Sequence, residues 1–557
     1  MLQQLLTKLN PVTYFRHNFL LLVACFLLLF IPLYPKVPLF DIIPGYIVRV
    51  RLEDALVLLA FLYYLVQLWR GQLTWRTPLT KWIFAYLAVA SLSILSAMFL
   101  IKTIPLELLH VGKSVLHLFR YSEYFVLFFI FFSAIKKQRD FQVVFVSLVA
   151  TLLLISFYGY GQKFWYWPVF STMNREFSKG MVLYLTEHAR VQSTFAGHYD
   201  LAAWLVIVLP LIYFAALFVK SKWQRWALHL THLAGLWLLV TSASRASFIA
   251  YISAMLLGVG LFALLRSGWR ARLQWWLGRS LGFLLVLSLM TYAFGDDMRE
   301  RFEHILRGYP SIYAPYEDTQ KFIAKKTEWL DDPLKGLRDW RESWKPQNGI
   351  AYDNTDLDSV LTKTDTQPTS QRPSDVYVNI PEQVAVVTVD EDDNEVITYV
   401  EKERTWSANA LKYGLSFAIR LDELWPNALN GFLRNPLLGS GFATLNKKEF
   451  YHFTEAESTD NNFLRTLGET GALGVITFYG AILSLISFLW RRHHRASLAL
   501  QVVNLSFIAA SVGLLLNATY IDVFASSKVA FTYWALAGAI MAFNLSAHTH
   551  VKTTRKS

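Results

Sequence analysis

Runs of roughly 18 or more apolar residues recur along most of this chain, each long enough to cross a hydrocarbon layer about 30 Å thick. Lipid offers the backbone no hydrogen-bond partner, so a crossing run must close its own N–H and C=O groups into a helix. The runs lie near 18–34, 54–69, 81–101, 121–135, 141–161, 199–219, 226–242, 246–265, 276–295, 470–490, 498–516 and 526–545, and the fourth could begin as early as Val111. They predict an all-α polytopic membrane protein of about twelve transmembrane helices. With 54% hydrophobic and 17% charged residues over 557 positions, a soluble fold could not cover its apolar surface.

The net charge of +12 invites a nucleic-acid reading, but its distribution points elsewhere. If the N-terminus is cytoplasmic, every second connection carries the cations: Lys8 and Arg16; Arg70, Arg76 and Lys81; Lys136, Lys137 and Arg139; Lys220, Lys222 and Arg225; Arg266, Arg270 and Arg272; Arg491, Arg492 and Arg495; Lys552, Arg555 and Lys556. Asp140 is almost the only acid among them, whereas the first opposite loop mixes Lys36, Asp41, Arg49, Arg51, Glu53 and Asp54. This is the positive-inside pattern, with both termini cytoplasmic, and it argues for membrane lipids and against nucleic acid as the partner of these cations. Cys25 is the only cysteine, so no disulfide or cysteine-based metal site is expected. The first apolar run lacks a small-residue cleavage site, so no cleavable signal is expected.

Three regions follow: helices 1–9 over residues 1–295, with an external loop at 162–198; a large extracytoplasmic loop at 296–469, between spans nine and ten; and helices 10–12 with a cytoplasmic tail at 470–557. In the large loop, Asp297 to Trp344 mixes charges with aromatics and reads as amphipathic helix on the membrane surface. Asn348 to Ser374 reads as flexible loop, Val384–Asp390 and Glu395–Glu401 as a small β-hairpin, and Leu411 to Asn430 as helix carrying Arg420, Asp422 and Glu423.

Four polar clusters stand on the external side. Arg190, His198 and Asp200 flank Gly197 at the mouth of the sixth span, where an interfacial anchor is the plain alternative to a ligand site. Arg245 sits among Ser242, Ser244 and Ser247, and an arginine so near hydrocarbon is costly unless paired or snorkelling. Asn435-Pro436 precedes Gly439 and Gly441, which a structural turn explains in full. The block from Glu457 to Gly474 holds Asp460 and Asn461, both natural N-caps, yet a carboxylate beside the membrane could also act as a general base. Asp522, near Asn517, Tyr520 and Lys528, is a further external acid, and Glu53, Asp54, Arg120 and Glu123 are candidate structural pairs. His110, His117, His188 and His198 lack helical metal-ligand spacing, so no metal centre is expected.

In this order the clusters resemble the O-antigen ligase and polymerase family of membrane glycosyltransferases. The resemblance covers roughly 190–490 and rests on R-x-x-S-T-F-x-G-H-x-D-L-A at Arg190, S-x-S-R-x-S around Arg245, R-x-x-x-x-W from Arg420 with N-P-L-L-G-x-G ending at Gly441, and D-N-N-F-L-R-x-L-x-E-x-G-x-L-G at Asp460. It implies an all-helical glycosyltransferase of the type-C superfamily in the bacterial plasma (inner) membrane. Such an enzyme moves a glycan from an undecaprenyl-diphosphate carrier to an acceptor hydroxyl on the extracytoplasmic face, with no cofactor and no metal. The acceptor is a lipid A core sugar for ligases and another carrier-linked repeat unit for polymerases. Ligases usually carry His-Asn where this chain has Asp460-Asn461, which fits a polymerase or a ligase with another acceptor.

The expected roles are then Asp460 as base, Arg190 and Arg245 on the diphosphate, and Arg420, Asp200, His198, Asn461 and Asp522 toward the substrates. Displacement in one step would invert the anomeric carbon. The rival reading is a transporter or flippase for polyprenyl-linked glycans, though no half-to-half repeat is visible. A membrane scaffold without catalysis is the third.

Overall fold

The computed structural model describes residues 11–35, 38–40, 50–170, 182–186, 189–299, 303, 310–327, 340, 343, 345, 350–352, 373, 382–389, 395–402, 405–445, 458–493 and 496–554. The expectations placed on Lys8, Lys36, Asp41, Arg49, His188, the hairpin turn at 391–394, Glu457, Arg495, Arg555 and Lys556, and on most of the loop at 353–374, lie outside these residues.

The chain is an all-α polytopic membrane protein. Its helices in order are α1 (Pro11–Leu33), α2 (Leu52–Trp69), α3 (Thr80–Phe99), α4 (Leu108–Ala134), α5 (Gln138–Phe164), α6 (His198–Phe218), α7 (Lys222–Thr241), α8 (Arg245–Ala263), α9 (Trp269–Phe294), α10 (Pro310–Thr327), α11 (Ala408–Tyr413), α12 (Leu415–Ile419), α13 (Trp425–Arg434), α14 (Asn462–His493), α15 (Leu498–Asn517) and α16 (Ser527–Thr554). Among the described residues, ten of these are long and apolar enough to span a membrane. All twelve runs read from the sequence are helical, but α1 offers only Asn18–Leu33 as apolar helix, and α7 is diluted by Arg225, His229 and His232. The short fourth run belongs to a 27-residue helix that starts at Leu108.

The most apolar helices form the centre. α6 is hydrophobic on every side and buried along most of its length, as is the first part of α16. α16 packs on α4, α15 on α6 and α8, and α14 on α3, while α9 rests at the edge against α7 and α8. Asp140, the exception among the basic connections, acts locally. Its carboxylate accepts the Lys136 and Lys137 N–H groups at 2.9 Å each and caps α5. The early charges do pair. Arg120 bonds Asp54 through both guanidinium nitrogens and reaches Glu123 at 3.1 Å.

The β-hairpin is present as β5 (Glu382–Val389) antiparallel to β6 (Glu395–Lys402), Val389 opposite Glu395. Two short pairs go beyond the sequence reading: β1 (Pro38–Phe40) with β2 (Val50–Arg51), and β3 (Leu183–Leu185) parallel to β4 (Ile350–Tyr352). β4 therefore occupies the start of the stretch read as flexible loop. Its apolar Ile350, Ala351 and Tyr352 precede the Asp- and Thr-rich part and supply a partner for β3.

One break organises the polar end. α14 runs helically to Thr470, kinks at Gly471 (φ 67°, ψ −169°), and resumes to His493. The kink leaves backbone groups open, and the Asn435–Gly441 turn takes them. Ser440 and Gly441 N–H donate to the Gly468 and Glu469 carbonyls at 2.8 and 3.0 Å, and Ala472 and Leu473 N–H donate to Pro436 and Leu437 carbonyls at 2.9 and 3.2 Å. The turn expected on the Asn-Pro and glycine signals is thus the partner strand of a broken helix, which is why backbone can cross here without loss of hydrogen bonds. A Cβ on Gly471 would stand 2.4 Å from the Leu437 carbonyl carbon, and its φ is left-handed. Gly471→Ala is accordingly expected to lower the thermal unfolding midpoint in detergent by several degrees, corresponding to about 1–3 kcal/mol; an unchanged midpoint would show that the crossing is not rigid.

Candidate functional site

Helix ends and loops at one end of the bundle bring the polar clusters together. This is the end where α6, α8, α14 and α16 begin and α15 stops. The described non-glycine residues with left-handed φ, namely Lys102, Tyr166, Ser193, Ala243, Ala443 and Asp460, are all in its connections. Strained backbone of this kind persists only where surrounding contacts dictate it.

Asp460 is the clearest case, with φ 51°. It is not the cap of α14. Asn461 is: its side-chain oxygen accepts the Phe463 and Leu464 N–H groups at 3.1 Å each. The Asp460 carboxylate turns elsewhere. One oxygen is 2.8 Å from the Arg420 guanidinium, and the other is 2.8 Å from Ser458 Oγ, whose single proton it shares with Asp522. Its side chain is about one-third exposed, at 31%, whereas that of Arg420 is 9% exposed. The pair therefore has a dry side and an open side.

Arg420 reaches this position through an irregular helix. The stretch expected as one helix from Leu411 to Asn430 is broken by Gly414 (φ 86°) and by a π-helical turn over Arg420–Leu424. Single π turns re-aim side chains without ending a helix, and such turns are frequent at functional sites. The guanidinium lies 4.1 Å from the centre of the Tyr520 ring, bonds the Ser416 carbonyl and hydroxyl, and its buried Nε has no partner among the described residues. Asp422 faces away and fastens α11 to the π turn. It accepts Ser407 Oγ and Asn409 Nδ2 at 2.6 Å each, and these bonds hold its carboxyl below the usual range. That contribution is present above the ordinary carboxylate pKa and fades as pH falls through the lowered one.

Asp522 is expected from the sequence to face substrate. Its oxygens are instead filled by the protein: Ser458 Oγ at 2.9 Å, Thr459 N–H at 2.9 Å, Asn461 N–H at 3.1 Å and Arg465 Nη1 at 3.1 Å. It anchors the 458–461 turn, and so the backbone that presents Asp460. Asn461, likewise expected on the substrate side, spends its amide oxygen on the cap. Arg465 continues the network to Glu469 at 3.3 Å, and Glu469 accepts the Ala443 N–H at 3.1 Å. Arg465 and Glu469 receive no role from the sequence, although their i, i+4 spacing in the Asp460 block is the spacing of a helical ion pair.

Arg190 is buried at 1% exposure and donates to His198 Nε2 at 2.8 Å. Arginine has no lone pair to give, so His198 accepts and carries its proton on Nδ1. His198 therefore orients Arg190 and does not present this nitrogen to a sugar. Asp200 lies half-buried in the first turn of α6. Arg245, half-buried, opens α8 after the strained Ala243. Val191 N–H joins the two arginine segments by donating to the Thr241 carbonyl at 3.1 Å. From there Ser247 accepts Asn517 Nδ2 at 3.0 Å, and the Ala518 carbonyl accepts Asn462 N–H at 2.8 Å, two residues from Asp460. The structure thus links the Arg190 and Arg245 segments to the Asp460 turn through the end of α15, while Arg420 reaches Asp460 directly. Lys528 pins the same end: its ammonium donates to the Pro32, Tyr34 and Thr194 carbonyls at 2.7–2.8 Å.

Among the described residues, no group of three or more His, Cys, Asp and Glu could hold a metal ion. No family model matches the chain, and no curated protein matches it.

Proposed function

We propose that this protein is a metal-independent, inverting glycosyltransferase. It would transfer a glycan from a polyprenyl-diphosphate carrier to an acceptor hydroxyl, at the extracytoplasmic face of a bacterial plasma membrane, as a polymerase or ligase of surface polysaccharide. The observation that carries this reading is the Arg420–Asp460 pair. A carboxylate that is free of capping duty stands, partly open, beside a buried guanidinium whose Nε has no partner among the described residues. The motif order of the sequence and the arginines at the mouths of α6 and α8 support the same chemistry.

In this mechanism the acceptor oxygen attacks the anomeric carbon as the bond to the diphosphate oxygen breaks, and the leaving diphosphate keeps the bonding pair. Asp460 receives the acceptor proton. Negative charge grows on the phosphate oxygens, where Arg190, Arg245 and Arg420 stabilise it. Asp522, Arg465, Asn461 and His198 hold these groups in place. The positive-inside pattern supports a cytoplasmic position for both termini and an extracytoplasmic one for the site.

Reconstitution tests this. Purified protein in liposomes with a lipid-linked donor and an acceptor glycan is expected to form a new glycosidic bond and release polyprenyl diphosphate. Arg190→Ala and Arg245→Ala should each lower the rate by about 10²- to 10³-fold, the usual loss of one transition-state charge partner. Movement of lipid across the bilayer with no new bond would instead identify a flippase, a reading that Pro210 within buried α6 gives some footing. Neither bond nor movement would leave a scaffold.

A further inference from the structure

The opposite end of the bundle carries a second polar feature that glycan transfer does not use. Arg266 follows α8, and Arg279 lies in α9, ten residues from its start. Their guanidinium carbons are 4.4 and 4.8 Å from the centre of one ring, that of Trp275. Two cations are thereby held close together, and nothing near them in sequence neutralises either: no Asp or Glu occurs from 201 to 295. α9 packs on α7 and α8, which belong to that acid-free stretch. Lys220, Lys222, Arg225, Arg270 and Arg272 add further positive charge at the same end. Arg272 Nε donates to the Arg266 carbonyl at 2.9 Å and fixes the turn that sets the pair.

Depth makes the pair costly. α9 has 26 residues, so at about 1.5 Å per residue it exceeds a hydrocarbon layer of about 30 Å by only a few residues at each end. Arg279 is therefore rooted inside that layer. Its Cβ points back toward the helix start, so the side chain runs one turn toward Trp275 and the interface. The surface beside it is open. A Cβ on Gly278 or Gly282 would meet nothing within 4 Å, and both residues share a helix face with Trp275 and Arg279. Only Ser280, Phe283 and Leu287 of α9 are buried.

We propose that Arg266 and Arg279 bind the phosphate of an anionic phospholipid, with Trp275 between them and an acyl chain along α9 past Gly278 and Gly282. A phosphodiester at the interface can accept hydrogen bonds from two guanidiniums held against one ring, and its charge offsets their mutual repulsion. A net anionic lipid, unlike a zwitterion, brings no cation of its own into the acid-free patch.

The test uses the full chain in neutral detergent, titrated with phosphatidylglycerol, with phosphatidylcholine of the same chains, and with inorganic phosphate. Thermal stabilisation is the readout. Phosphatidylglycerol is expected to stabilise the wild type, and R266Q/R279Q to raise the half-saturating lipid concentration about tenfold or more, the equivalent of 1.4 kcal/mol. R70Q/R76Q, at a different connection, should respond like the wild type. An equal response in R266Q/R279Q, or phosphatidylcholine as effective as phosphatidylglycerol, overturns the proposal. Inorganic phosphate acting equally well overturns the lipid assignment. Should R266Q/R279Q fail to fold, phosphatidylglycerol with a photoreactive acyl chain still decides on the wild type. Labelling is expected in α9 around Gly278–Gly282, and labelling spread evenly over lipid-facing helices refutes a site.

Discussion

Asp460→Asn is expected to lower glycan transfer by about 10²- to 10⁴-fold, the range of a lost general base, while the protein inserts and unfolds almost as the wild type does. The substitution keeps an oxygen for the Ser458 hydroxyl and leaves the Asn461 cap of α14 intact. What it removes is the proton acceptor and the negative partner of Arg420. Asn461→Ala should behave in the opposite sense. Loss of the cap costs about 0.5–2 kcal/mol of stability, with transfer reduced far less than by Asp460→Asn. Crossing the two variants in transfer and thermal-unfolding assays separates chemistry from capping. Near-normal transfer by Asp460→Asn would remove Asp460 from the mechanism, because asparagine serves every structural contact that aspartate makes here except the ion pair.

The largest expected loss of stability is at Asp522. Its carboxylate takes two backbone N–H groups, the Ser458 hydroxyl and Arg465, and its side chain is 7% exposed. Asp522→Ala would leave Arg465 with Glu469 alone and strand the Thr459 and Asn461 donors. Removing one partner from a buried ion pair typically costs about 3–5 kcal/mol, which for a domain of ordinary stability is a large share of the total. Asp522→Asn, which keeps one accepting oxygen, should fall between. The measurement is the unfolding midpoint in detergent with the yield of folded protein. A loss below about 1 kcal/mol would mean that the pair is hydrated like a surface ion pair, and that the 458–461 turn is held by other contacts. Transfer should fall with stability in these variants, because Asp522 acts on Asp460 only through the backbone between them.

The contrast between these two acids shows where sequence reading stops. By sequence, Asp460 and Asp522 are both polar groups open to a substrate. Spacing alone cannot tell which one the fold consumes, because the donors that fill Asp522 come from residues 458–465, some sixty positions earlier. The same holds for Arg420, whose stacking partner Tyr520 lies in another loop. It holds also for His198, a ligand group by its place in the sequence, whose lone pair the fold gives to Arg190. The Asn435–Gly441 turn is legible as a turn from its Pro and Gly signals, but not as the backbone partner of a helix that breaks at Gly471.

Polar clusters near helix ends nevertheless announce themselves, because charge beside lipid is too costly to be incidental. The sequence by itself determined that this chain is a bundle of membrane-crossing helices. Apolar length alone decides that, since a backbone in lipid has no other way to satisfy its hydrogen bonds. It also determined where the hairpin and most helix limits fall, which follow from local periodicity. The tertiary structure decided which carboxylate stays available. That choice rests on hydrogen bonds between distant segments, which no local pattern encodes: Asn461 takes the cap, Asp522 takes the donors, and Asp460 is left facing Arg420.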